Sequence, residues 1–327
     1  MADGRWQMAD GKVWGIVHHK AVSRRRVILW ALGTCAVTMM AVCVLAYDRE
    51  PRYKGKSLSE WLRVYAAAPD NVRRDVAADA IRHMGTNALP FLLEAVRHGV
   101  PGWMRQVSPV IGRLPKPIQS KWAHMMAARN RASEAAVGLA ILGPVAVPII
   151  PELVADLDNT RRQNGAIRAL EAIGRPAVPF LVAAITNKAN SMNLRRASLN
   201  QIGGLGHDAS EAVQVLMECA QREPELLVDM IWPIAATATN APLVIPFFTN
   251  AMQSASVDAR YAAILCVLHL GKGARDAVPA LKIRLFDSNI RVRTQATNSL
   301  NMIALMLGPE AEDYGLSSFT TTPWTDQ

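Results

Sequence analysis

GRPAVPFLVAAI, residues 174–185, is a short apolar run punctuated at its start by a glycine and two prolines. The punctuation recurs as GTNALP at 85–90, GRLPKP at 112–117 and GPVAVP at 143–148, always with a proline five residues after a glycine. GHDASE at 206–211 keeps the glycine and places Glu211 where the proline stands; GKGARDAVP at 271–279 and TNAPLVIP at 239–246 are looser copies. The marker positions 90, 117, 148, 179, 211, 246 and 279 are 27, 31, 31, 32, 35 and 33 residues apart. A period near 32 is the mark of one supersecondary unit stacked many times.

That unit is helical. Ala77, Ala80, Ile81 and Met84 recur at i, i+3, i+4 and i+7 before the first joint, and Leu89, Leu92, Leu93 and Val96 do the same after it. Gly85 is expected to end the first helix in the left-handed conformation, and Pro90 to sit in the first turn of the second, where an N–H has no partner. Gly174 and Pro179 obey the same logic. Short polar links at 156–159, 186–188 and 287–289 then lead into the next copy. Arginines follow the links: Arg73 and Arg74, Arg131, Arg161 and Arg162, Arg195 and Arg196, Arg260, Arg291 and Arg293.

With joint, period and arginine agreeing in several copies, residues 70–305 resemble the HEAT-repeat family, although 100–129 and 224–252 depart from the pattern. The resemblance implies an all-α fold: a right-handed α-solenoid of about seven hairpins whose second helices line a concave face. It also implies that the arginines link repeats by hydrogen bonds or ion pairs. One hairpin cannot bury its own apolar stripe, so neighbours must stack.

Composition agrees with many small helices. Of 327 residues, 50% are apolar and only 6% aromatic. The net charge of +9 is uneven: residues 1–56 carry +6, leaving +3 over the other 271. A nearly neutral array with few aromatic side chains does not suit a phosphate-tracking groove or a base-stacking surface. Cys35, Cys43, Cys219 and Cys266 form no CxxC or Cys/His pattern, so buried thiols are expected rather than a zinc site or disulfide scaffold.

Val27 to Tyr47 is uncharged for 21 residues, enough to cross a hydrocarbon core of about 30 Å as a helix. Arg24, Arg25 and Arg26 abut its start and place the N-terminus inside. The expected order is a basic cytoplasmic tail at 1–26, a signal-anchor helix at 27–47, a linker and capping helix at 48–69, the array at 70–307 and a tail at 308–327. The array would then lie outside the cytoplasm, in the periplasm of a Gram-negative cell. Cleavage near Ala46 is the alternative, and export follows either way. MADG at 1–4 recurs at 8–11, so Met8 competes with Met1 as the start. Ser57 and Glu60 form an S-x-x-E capping box, predicting a helix from Ser57 that shields the first repeat; the segment is similar to one in bacterial membrane-anchored HEAT proteins without assigned activity. In the tail, Phe319 and Trp324 are expected to cover the open end of the last repeat.

No catalytic, cofactor or metal residues are assigned. GGLGHD at 203–208 and GKG at 271–273 lack the Lys-Ser/Thr of a phosphate loop and fall on repeat joints, so they are expected to be turns. Charged residues on the second helices are the candidate groove: Glu94, Arg97, Glu152, Asp156, Glu211, Glu218, Lys282 and Arg284. The expected function is a membrane-anchored, non-enzymatic scaffold holding a protein or peptide partner in the cell envelope, with no nucleic acid, small-molecule substrate or cofactor. HEAT-like enzymes of the bilin-lyase type and HEAT-like DNA glycosylases are the alternatives.

Overall fold

The structure, a computed structural model, describes residues 50–98 and 131–319. The expected anchor at 27–47, the joint at 112–117 and Trp324 lie outside the described residues. From Pro51 onward the chain forms one compact unit. Among the described residues it is all-α apart from a two-residue ladder, Arg52–Tyr53 against Lys56–Ser57.

That ladder and helix α1 (Leu58–Ala67) close the N-terminal end. Lys54 and Gly55 make the turn between the strands, both with positive φ (46° and 79°). The expected capping box forms: the Glu60 N–H donates to Ser57 Oγ at 3.3 Å, and the Ser57 N–H donates to Glu60 Oε2 at 2.7 Å. Trp61 Nε1 donates to the Tyr53 carbonyl at 3.0 Å, and Tyr53 stacks on His83 of the next helix. The capping helix was legible from sequence; the ladder that buttresses it was not.

The helices that follow alternate as first and second members of hairpins. These are α2 (Asn71–Met84) with α3 (Leu89–His98), α4 (Arg131–Leu142) with α5 (Ile150–Asp156), and α6 (Gln163–Ile173) with α7 (Val178–Thr186). Then come α8 (Met192–Leu205) with α9 (Val213–Arg222), α10 (Leu227–Thr237) with α11 (Ala241–Ala251), and α12 (Val257–Cys266) with α13 (Val278–Arg284). Helix α14 (Ile290–Leu307) is a last first helix, followed by short 3₁₀ turns at Gly308–Tyr314 and Ser317–Phe319. First helices pack on one another in chain order: α2 on α4, α4 on α6, α6 on α8, α8 on α10, α10 on α12, α12 on α14. Their buried side chains join one apolar core running from Leu58 to Leu316.

The joint at 174–179 works much as its sequence implies. Gly174 ends α6 at φ 72°, its N–H donating to the Leu170 carbonyl; one 3₁₀ turn follows, and Pro179 is the second residue of α7. The chain bends by 117° there. Gly85, Gly143, Gly206, Gly271 and Gly308 repeat the positive φ, between 54° and 59°. One detail differs from expectation. At Gly85, Gly174, Gly206, Gly271 and Gly308, ψ lies between −126° and −138°, not near the +47° of a left-handed helix. A Cβ is excluded there by its own backbone, so these positions are closed even to the asparagine that a left-handed cap tolerates.

Two other expectations need correction. Pro246 keeps the register of the other markers, but α11 starts five residues earlier, at Ala241, with Pro242 in its first turn. This joint has no glycine; extended Ala238 (φ −66°, ψ 122°) makes the break after Thr237. The spacing also places a hairpin at 100–129 between 70–98 and 131–156, yet α4 packs directly on α2 and α3. A Cβ on Gly138 would meet Leu92, and one on Gly165 would collide with the Val96 carbonyl. The described residues thus hold six hairpins and α14, with the first two in contact despite the 32 residues between them.

Ala132–Asp156 is apolar and long enough to cross a membrane. Gly143 breaks it at φ 54°, and Leu139, Leu142, Ile149, Ile150 and Leu153 are buried in the shared core, so packing accounts for its composition.

Candidate functional site

Aligned on the marker positions, the second helices share one burial pattern. The residues two and six places after each marker are buried: Leu92 and Val96, Ile150 and Val154, Leu181 and Ile185, Val213 and Met217, Phe248 and Met252. In α13, Leu281 is buried and Leu285 is partly so. The residues four and seven places on are exposed, or half-buried at Arg97 and Glu218. In order they are Glu94 and Arg97, Glu152 and Ala155, Ala183 and Thr186, Val215 and Glu218, Asn250 and Gln253, and Ile283 and Phe286. An outward row of residues at one repeat's spacing is the surface on which a long partner can be held.

The eight charged candidates do not converge on one point, and most are bonded within the chain. Arg97, Glu152 and Asp156 do come together. Arg97 Nη1 lies 2.8 Å from Glu152 Oε2, its Nε donates to Asp156 Oδ2, and Arg162 Nη1 is 3.3 Å from Asp156 Oδ1. Asp156 is buried, so this cluster joins the first hairpin to the second. Arg175 Nη2 meets Glu211 at 2.8 Å from one joint to the next. Glu218 accepts from Gln214 and Arg222 along α9. Lys282 donates to the Tyr314 carbonyl at 2.9 Å, and Arg284 to Asp287 at 3.2 Å. Glu94 stands exposed on α3.

Three of the link arginines are structural. Arg195, Arg260 and Arg293 each occupy the fourth position of their helix, and each reaches back to the preceding link. Arg195 Nε donates to the Ile185 carbonyl, Arg260 Nη1 to those of Ser254 and Ala255, and Arg293 Nη1 to those of Asp287 and Ser288. Two of them also clamp an acid just beyond the second helix of their own hairpin. Arg195 Nη2 meets Glu223 Oε2 at 2.7 Å, and Arg260 grips Asp287 with two bonds of 2.9 Å. All four groups are buried. Hydrogen bonding from Arg195 holds the Glu223 carboxyl below its ordinary range, against the burial that pushes it up. Arg260 does the same for Asp287. Sequence reasoning missed both acids. The available signal was spacing: each follows its arginine by 27 or 28 residues.

The two glycine-rich stretches are joints. Gly206 and Gly271 supply the positive φ, while Gly203 lies against Trp232 and Gly273 against Ala241 of the preceding joint. Cys219 and Cys266 are free and buried. Burial, followed by the nearby Glu223 charge, raises the Cys219 thiol; burial alone pushes Cys266 up to about 11. No family model matches the chain, and no curated protein is similar to it.

Proposed function

We propose that the chain is a HEAT-type α-solenoid, tethered by residues 27–47 with its helical array outside the cytoplasm, that holds a protein or peptide partner along the outward face of its second helices. The observation that carries this reading is a set of polar bonds between residues one repeat apart. Arg168 donates to Ser133, Arg175 to Glu211, Ser191 to Asp158, Arg196 to Asp229, and Ser299 to the Ile264 carbonyl, at separations of 33 to 36 residues. The period of the sequence is thereby also a period of contacts, as expected of a stacked array built for an extended binding surface.

Partner capture is tested by placing photo-reactive residues, one at a time, at Ala183 and Val215 on the outward face and at Arg168 on a first helix, in the full chain in native membranes. A discrete heteromeric product from the first two positions and not the third is expected. Equal labelling from all three, or no product, removes the reading. Topology has its own test: alkaline phosphatase joined after Gln327 should be active, and a fluorescent cytoplasmic reporter at the same place should stay dark.

A further inference from the structure

In the first five hairpins the exposed row is small, polar or charged, apart from one valine. The residue five places past each marker is apolar and belongs to the core or packs against it: Ala95, Leu153, Ala184, Leu216 and Ala251. The sixth hairpin exchanges the two. Ile283 and Phe286 in its outer row are 60% and 88% exposed, and Arg284 stands where the others place alanine or leucine. Packing does not require the two apolar side chains, because Val278 and Leu281 already fill the buried face of α13. All three residues border a groove of about 460 Å³ shared with Gln253 and Ser254, just past the end of α11.

The groove carries an unbalanced charge. Asp287 accepts from Arg260 twice, from Arg284 and from the Asn289 N–H. Arg260 spends its remaining nitrogen on the Ser254 and Ala255 carbonyls. Arg284 gives only Nη1 to Asp287, at 3.2 Å, and its Nε and Nη2 have no partner among the described residues. Two guanidinium charges against one carboxylate leave one positive charge beside an apolar wall. A carboxylate is the complement of that guanidinium, and an apolar side chain the complement of Ile283 and Phe286. We infer that this groove seats an acidic segment of a peptide partner, with an Asp or Glu side chain on Arg284 and a neighbouring large apolar side chain against Ile283 and Phe286. The inference rests on the proposed role of the second-helix face and adds the chemistry of what that face holds. Charge and shape select this occupant. The Arg284 side chain, 21% exposed, is recessed beside Phe286, so a flat lipid surface meets the ring before the charge. A second copy would bring an array that is itself slightly positive, +3 over residues 57–327.

Random short peptides displayed on phage through their C-terminal ends, and selected on the full chain in discs of zwitterionic lipid, test it. Enriched sequences should place Asp or Glu next to, or one residue from, a Leu, Ile, Phe or Met. A synthetic fluorescent copy of an enriched peptide should bind about tenfold more weakly when its acid is changed to the amide, a swap that leaves the protein untouched. Phe286→Ala and Arg284→Gln should weaken it similarly, Arg284→Lys less, and Val72→Ala on α2 not at all, with circular dichroism confirming that each variant is folded. No enrichment, enrichment of basic or purely apolar sequences, or affinity indifferent to the acid or to both groove variants would overturn it. So would a dimer, or an association with anionic lipid, that Phe286→Ala abolishes. A native partner cross-linked at Ala183 and Val215 without acidic peptides binding here would remove this inference and leave the partner reading standing. Acidic peptides bound here without that cross-link would do the reverse.

Discussion

Asp287 concentrates much of what holds the sixth hairpin together. It accepts from Arg260 twice, from Arg284 and from the Asn289 N–H, so one buried carboxylate fixes a helix, a helix end and a link. Removing one member of a buried pair strands the other; Asp287→Ala is expected to destabilise the chain by roughly 3 kcal/mol in urea unfolding. Arg260→Met with Asp287→Leu should recover most of that loss. The same carboxyl predicts acid sensitivity. Its folded pKa lies below the ordinary 3.8, and that of Glu223 below 4.5. Their stabilisation is therefore complete above about pH 4.5 and lost as pH falls through the lower folded values. Unfolding midpoints recorded between pH 6 and pH 3 should drop, and drop less in a Glu223→Gln, Asp287→Asn variant. Cys266 acts at the other end of the scale. With its pKa raised from 9.0 to about 11, it favours the folded state below pH 9 and loses that contribution as pH climbs toward 11. About 2–3 kcal/mol is at stake, and Cys266→Ala should flatten the alkaline limb of the stability curve.

At the scale of elements, the glycines show what sequence patterning can and cannot convey. Gly-x-x-x-x-Pro located the joints at 85–90, 143–148 and 174–179 because both residue types answer local backbone demands, which one copy displays by itself. Ψ at Gly85 and Gly174 was not legible, since a glycine that ends a helix can satisfy its positive φ with more than one ψ. Gly174→Ala therefore meets a forbidden backbone rather than a crowded site and should cost about 1–2 kcal/mol. Gly204, inside α8 with 3.7 Å to its nearest neighbour, has neither constraint; Gly204→Ala should stabilise by about 0.5–1 kcal/mol. Thermal melts of the two variants should shift in opposite directions. The joint before α11 was misplaced for the same local reason: Ala238 breaks the chain with ordinary extended backbone, which leaves no compositional mark.

Among the described residues, the order of the hairpins was legible because most joints carry their own local mark and each first helix packs on the next first helix in the described chain order. Adjacency was not. Spacing alone placed a repeat around 117, and only the packing of α4 on α2 and α3 reveals that the flanking hairpins touch. The same limit applies to the candidate face. Charged residues were chosen because charge is conspicuous in sequence, whereas the outward register emerges only when burial is aligned across hairpins. Since α4 packs directly on α2 and α3, replacing residues 99–130 by a flexible Gly/Ser linker of about 12 residues should preserve cooperative unfolding and most of the melting temperature. A broad, non-cooperative melt would show instead that the segment is part of the stack.

Timing during synthesis follows from the tethers. Most polar bonds between hairpins close over 33 to 36 residues, so each hairpin finds its partner soon after it leaves the ribosome or an export channel. The bond from Arg97 to Asp156 spans 59. At elongation rates of about 5–20 residues per second, the first hairpin waits roughly 1–5 s longer than any other for its neighbour. For that interval the first hairpin has to keep its shape without the second.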